Sequence, residues 1–105
     1  MAISTEVLSS SQRFQRLVAE WKEQRNPYSS DASQDATPSY LKIIGMGPAA
    51  IPLILNEMRR QPDQWFVALN ALTDADPVLA EHRGNFREMI NDWLDWGREN
   101  GHLLS

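Results

Sequence analysis

Apolar residues recur along this chain at helical spacing, three and four positions apart, and no stretch shows the strict alternation of a half-buried strand. Phe14, Leu17, Val18 and Trp21 fall at i, i+3, i+4 and i+7 and define one face of a first helix. Ser9 and Gln12 have the spacing of a capping box at its start, and Val7 extends the face if the helix begins nearer Ser4. Asn26-Pro27 ends it, because a residue before proline avoids the helical region. From Tyr28 to Ala36 only one large apolar residue occurs, so residues 26–36 read as a mobile loop.

Thr37-Pro38 has the form of an N-cap followed by proline at the first helical position. A short helix then carries Tyr40, Leu41, Ile43 and Ile44, and Gly45 or Gly47 supplies the left-handed residue that terminates it. A third helix runs from Ala49 to about Arg60 with Ile51, Ile54, Leu55 and Met58 inward. Pro62 opens a fourth, with Trp65, Phe66, Leu69 and Leu72 inward. Asp74 to Gly84 is a loop, and Asp74 and Asp76 before Pro77 read as turn residues. Asn85 caps the last helix with Glu88 three residues on, and Gly101 stops it. The pattern predicts an all-α chain of about five helices. Phe14, Leu17, Val18, Trp21, Ile44, Ile54, Leu55, Trp65, Leu69, Met89 and Trp93 are expected to share one core.

Composition narrows the function classes. At 105 residues the chain is expected to form a single domain over residues 1–105. It has no cysteine, which excludes disulfides, thiolate metal sites and a cysteine nucleophile. A net charge of −4 argues against general nucleic-acid binding. The first ten residues carry no basic group, and the longest apolar run, Ala49 to Leu55, is broken by Pro52 and far shorter than the roughly 20 residues of a membrane span. The expected location is the cytoplasm.

The string from Tyr40 to Leu55 is a short helix, a glycine turn and then Ala-x-x-Pro-Leu-Ile-Leu, and it resembles a HEAT-like helical hairpin. A second unit, Trp65 to Thr73, a polar loop and Asn85 to Gly97, resembles the closing repeat of small bacterial HEAT-like arrays. The chain also resembles a group of short, uncharacterised bacterial proteins with the same Ile-Gly-Met-Gly and Trp-Phe-x-Ala-Leu segments. The resemblance covers residues 38–100 and implies an N-terminal helix plus two HEAT-like helical hairpins. It brings no catalytic residues with it.

The clearest polar feature lies on the last helix. Glu88, Asp92, Asp95 and Glu99 are spaced 4, 3 and 4 apart and form a narrow stripe opposite Phe86, Met89, Ile90, Trp93 and Gly97. Such a row is either the solvated side of an amphipathic helix or a docking stripe for a basic partner, and in both cases its like charges repel. A hard-cation site needs converging oxygens, whereas a single row diverges into water. Trp21, Trp65 and Trp93 sit on core faces. Trp96 lies at the margin, placed either to cover the edge of the core or to anchor a contact. His82 and His102 have no ligand spacing and read as solvent-exposed. Gly45-x-Gly47 lacks the preceding strand of a phosphate loop, and the serines match no nucleophile elbow.

The resulting expectation is a small non-catalytic module, adaptor-like or inhibitor-like as an antitoxin is, that binds a basic protein surface. Glu88, Asp92, Asp95 and Glu99 would steer association and Trp96 would make contact, with no metal or cofactor. The alternatives are a small hydrolase or enzyme subunit, and a nucleic-acid regulator using Arg13, Arg16, Lys22 and Arg25, a row interrupted by Glu20 and Glu23.

Overall fold

The computed structural model describes residues 9–24 and 37–103. Five helices occur in them: α1 (Ser10–Gln24), α2 (Pro38–Gly45), α3 (Ala50–Arg60), α4 (Phe66–Thr73) and α5 (Phe86–Glu99). Short 3-10 turns stand at Gly47–Ala49 and Ala80–His82. The described residues contain no strand, so the class is all-α. The segment 26–36, expected to be a mobile loop, lies outside the described residues.

Local chemistry sets most of the boundaries. Ser9 and Gln12 form a reciprocal capping box, each side chain accepting the other's backbone N–H at 3.1 Å. Thr37 takes the N-cap position of α2 by backbone alone, its carbonyl accepting from Leu41 N, and its hydroxyl makes no cap bond. Gly47, at φ +78°, turns the chain between α2 and α3. That turn bends the path by 104°, and no single helix among the described residues is long and apolar enough to cross a membrane. Asn85 Oδ1 accepts from Glu88 N at 3.1 Å and caps α5.

The helices enclose one continuous apolar cluster. Its centre is aromatic. Tyr40 and Trp65 stack at 5.6 Å between centroids, Trp21 lies 4.7 Å from Trp65 and 5.1 Å from Tyr40, and Phe14 closes on Trp65 at 5.8 Å. All four rings are fully buried. Tyr40 adds a polar bridge at this centre: its hydroxyl accepts from Ala68 N at 3.0 Å and donates to Gln64 O at 3.1 Å. Ala68 N is one of the first-turn amides of α4, which have no partner within their own helix.

Three expectations are corrected by this packing. The fourth helix begins at Phe66 rather than at Pro62, because Gln61 is extended and Asp63 turns the chain, accepting from Gln64 N and Trp65 N. In α2 the buried residue is Ile43, three positions beyond Tyr40 on the same face, and Ile44 is only partly covered. In α5, Ile90 and Leu94 are buried and Met89 is partly covered, since α3 packs on that flank.

The end of α5 is closed by a glycine stop. Gly101 has φ +79°, His102 N donates to Gly97 O at 2.8 Å and Gly101 N to Arg98 O at 3.4 Å, the two bonds of a Schellman motif. The reversal lays Leu103 against Gly97. A Cβ at Gly97 would stand 2.7 Å from Leu55 Cδ1 and 3.2 Å from Leu103 Cδ1, so glycine is what lets α5 approach α3 here.

Two stability outcomes follow from these contacts. Tyr40→Phe keeps the ring and strands the buried amide of Ala68, and urea unfolding should show a loss of about 1–3 kcal/mol. Gly97→Ala gains about 1 kcal/mol of helix propensity and loses more to overpacking against Leu55 and Leu103. Chemical denaturation should show a net loss, and combining it with Leu55→Ala should cost less than the sum of the two changes.

Candidate functional site

Helix α5 presents three different sides. Ile90, Trp93, Leu94 and Gly97 face the core. Glu88, Asp92, Asp95 and Glu99 lie within about 60° of one another on the outward side, at about 100° per residue. Arg87, Asn91 and Arg98 occupy the flank nearer α3.

The four carboxylates are not equivalent. Asp92 leaves the row: its side chain is only 11% exposed. Its Oδ2 accepts from His82 Nδ1 at 2.7 Å and from Leu79 N at 3.1 Å. It therefore pins the loop before α5, including the 3-10 turn at Ala80–His82, onto the helix. Glu88 approaches the other nitrogen of the ring, 3.7 Å from Nε2. Asp95 pairs with Arg98, one turn along the same helix. Glu88, Asp95 and Glu99 stay open to solvent to differing degrees. In the same loop Arg83 pairs with Asp76, and Asp74 adopts a left-handed conformation (φ 59°) at the end of α4, in keeping with the turn role expected of it.

The histidines are corrected from solvent-exposed to engaged. His82 is 24% exposed and held by Asp92. The hydrogen bond His82 donates to Asp92 raises its pKa above the ordinary imidazole value, desolvation opposes this, and the charges of Asp92, Glu88 and Glu81 add to the rise. For Asp92 desolvation pushes upward, but the bonds from His82 and Leu79 N together with the His82 charge outweigh it, and the carboxyl titrates below its ordinary value. His102 stacks on Trp96 at 5.3 Å between centroids, and Trp96 in turn meets Trp93 edge-on at 5.5 Å. Trp96 is thus a half-buried ring with one face covered by His102. A local sequence signal for His82 did exist: it stands ten residues before Asp92, across one turn. Only the path of the loop shows that the two meet.

Sequence reasoning missed Glu57 altogether. Its side chain is 1% exposed, and both carboxylate oxygens accept from Arg60, at 2.8 and 2.9 Å. Lys22 of α1 lies 3.9 Å away and donates to Gln61 Oε1 at 2.8 Å. Glu57 sits beside the apolar row Ile51, Ile54, Leu55 and Met58 and is buried because α1 covers it. Among the basic residues weighed for nucleic acid, Arg16 pairs with Glu20 at 3.9 Å and Lys22 is occupied as described, while Arg25 lies outside the described residues.

Two clefts flank the start of α5. One, of about 280 Å³, lies between α3 and α5, with Met58, Phe86, Ile90 and Leu94 below and Arg59 and Arg87 among its lining. The other, of about 290 Å³, lies between α4 and α5 and is lined by Phe66, Val67, Val78, Met89 and Trp93. Phe66 and Phe86, in edge contact at 5.7 Å, form the ridge between them. Among the described residues no group of three or more histidine, aspartate or glutamate side chains is placed to hold a metal ion, and the partners of His82 are all carboxylates.

The His82–Asp92 pair makes stability depend on pH in a defined direction. With the His82 pKa raised, its contribution is complete below the ordinary value near 6.5 and fades as pH rises through the folded value. With the Asp92 pKa lowered, its contribution is complete above the ordinary value near 3.8 and fades as pH falls through the folded one. Thermal melts should therefore show the largest gap between wild type and His82→Gln between these limits, narrowing above them. An NMR titration should place the His82 midpoint above 6.5. Asp92→Asn should destabilise the fold, contrary to what relief of repulsion in a solvated row would give, because it weakens the acceptor of two bonds.

No protein-family model, no curated protein and no solved structure matches this chain.

Proposed function

We propose that this chain is a small, non-catalytic helical module, adaptor-like or inhibitor-like, that works by binding another protein. The observation that carries this reading is the apolar ground around the Phe66–Phe86 ridge. Val67 is 50% exposed and Phe86 38% exposed, beside part-buried Phe66 and Met89, with charged groups such as Arg83, Asp76 and Arg87 around them. Clustered apolar side chains with a polar surround are what protein contact surfaces are made of, and aromatic residues dominate their energetics. The HEAT-like character of residues 38–100 belongs to the same proposal, since helical hairpins of that type serve as contact surfaces.

The acidic side of α5 supports a second reading, that Glu88, Asp95 and Glu99 steer a basic protein surface toward the module while Trp96 makes contact. The exposure of Asp95 and Glu88, 64% and 46% of their side chains, favours it. Asp92 drops out of this role because it is held by His82 and only 11% exposed, whereas Asp95 stays exposed beside Arg98.

Affinity capture from native lysate with mass spectrometry tests both readings. A partner retained by wild type should be lost with Val67→Glu, a change that an exposed first-turn position tolerates. Retention unchanged by Val67→Glu would remove the apolar ridge from the interface. With the partner in hand, Asp95→Asn with Glu99→Gln should slow association at low salt and have little effect at high salt, where the Debye length falls to about 3 Å. Equal association rates at low salt would return the acidic side to a solvated face.

A further inference from the structure

The end of α5 carries the one Asn-Gly pair in the chain, Asn100-Gly101. Such a pair has a chemistry of its own. When the backbone nitrogen after an asparagine attacks the side-chain carbonyl carbon, a cyclic imide closes and ammonia leaves. Glycine in the following position has no Cβ to crowd the attack. The other asparagines, Asn26, Asn56, Asn70, Asn85 and Asn91, precede Pro, Glu, Ala, Phe and Asp. Proline has no N–H to give up, and the other four carry side chains that hinder closure. Asn100 and Gly101 are both exposed, so water reaches the pair.

The fold holds the reacting atoms apart. Asn100 has ψ 9°, which turns Gly101 N toward the backbone nitrogen of Asn100 and away from its side chain. Both groups are also engaged: Asn100 Nδ2 donates to Trp96 O at 2.8 Å, and Gly101 N donates to Arg98 O at 3.4 Å. Beyond them His102 N and Leu103 N both donate to Gly97 O, at 2.8 and 3.2 Å. Among residues 98–103 only Leu103 is buried, and it rests against Gly97. Ring closure therefore needs this last turn to open, and the seat of Leu103 is what opposes opening. Terminal turns open at a small part of the cost of global unfolding.

We propose that Asn100 is a site of spontaneous covalent modification, restrained by the seat of Leu103, whose reaction rebuilds the end of α5. Gly101 N forms a bond to Cγ of Asn100 and gives up its proton. The bond from Cγ to Nδ2 breaks, and Nδ2 leaves with that proton as ammonia. Water then adds to one of the two ring carbonyls and opens the imide. Opening at the original backbone carbonyl leaves isoaspartate, whose main chain runs through Cβ and Cγ, and opening at Cγ leaves aspartate. In either product the new carboxylate has no N–H to donate to Trp96 O. Its charge joins Glu99 at a helix C-terminus, where the macrodipole disfavours anions. Isoaspartate also adds a main-chain atom, which moves His102 N and Leu103 N out of register with Gly97 O. The stack of His102 on Trp96 and the seat of Leu103 on Gly97 depend on that register.

Incubation of the full chain in neutral buffer tests this, with peptide mapping by mass spectrometry and labelling by an isoaspartyl methyltransferase as readouts. Isoaspartate should accumulate at position 100, with aspartate as the minor product, ahead of every other asparagine. Leu103→Ala leaves the reacting pair intact and should speed conversion about threefold or more, with thermal melts establishing that the variant is folded. Wild type unfolded in urea should also convert faster than folded wild type, which reads the same restraint without a substitution. Asn100→Ser should reduce the label to background. In the isolated isoaspartate form the His102 ring protons should lose the upfield shift that stacking on Trp96 gives them. An unmodified position 100, or aspartate without isoaspartate, would overturn the assignment. Equal rates in folded wild type, Leu103→Ala and the urea-unfolded chain would overturn the restraint. Unchanged His102 signals in the isoaspartate form would overturn the rebuilding of the helix end.

Discussion

The fold turns on one hydroxyl group. Tyr40 reaches from α2 to the start of α4 and satisfies both a stranded amide, Ala68 N, and the carbonyl of Gln64 just before the helix. A helix of eight residues such as α4 is too short to hold itself together, because nucleation is unfavourable and few internal bonds repay it. Its start is instead fixed from outside, by a side chain whose ring is clamped between Trp21 of α1 and Trp65. One residue thereby ties three helices to a common centre. The aromatic cluster supplies the apolar area, and the hydroxyl supplies the direction in which α4 leaves it.

Much of this was legible in the sequence, and the unread parts share a cause. The capping box at Ser9 and Gln12, the cap at Asn85 and the stop at Gly101 are local chemistry, encoded within a few residues, and they appear where the pattern puts them. The burial of Trp21 and Trp93 follows from helical spacing. The start of α4, the burial of Ile43 rather than Ile44 and the engagement of Asp92 by His82 depend on which neighbour arrives from elsewhere in the chain. Glu57 is the sharpest case. On a helical wheel it is a polar residue beside an apolar row, and only the position of α1 turns it into a buried charge held by Arg60 and approached by Lys22.

The candidate surfaces gather on α5, which turns three different sides to its surroundings. A row of four carboxylates looks uniform in sequence, but the loop between α4 and α5 takes one of them for its own anchorage. What remains is an apolar ridge at Phe66 and Phe86, the α3–α5 cleft with Arg87 at its edge beside it, and an acidic side turned away from both. On the reading proposed above, opposite charges on two flanks of one helix would give a bound protein a defined orientation, since turning it around would place like charges together.

Gly97 stands on the same pair of helices, α3 and α5, that borders the cleft at Met58 and Phe86. At Gly97 the side chain of Leu55, from α3, reaches the bare backbone of α5, with Leu103 beside it. Ten and eleven residues earlier on α5, about 15 Å along its axis, Arg87 and Phe86 border the cleft. Bulk added at position 97 would press on Leu55 of α3, the helix that also carries Met58 and Arg59, so the spacing of the two helices along the cleft depends in part on a residue outside its lining.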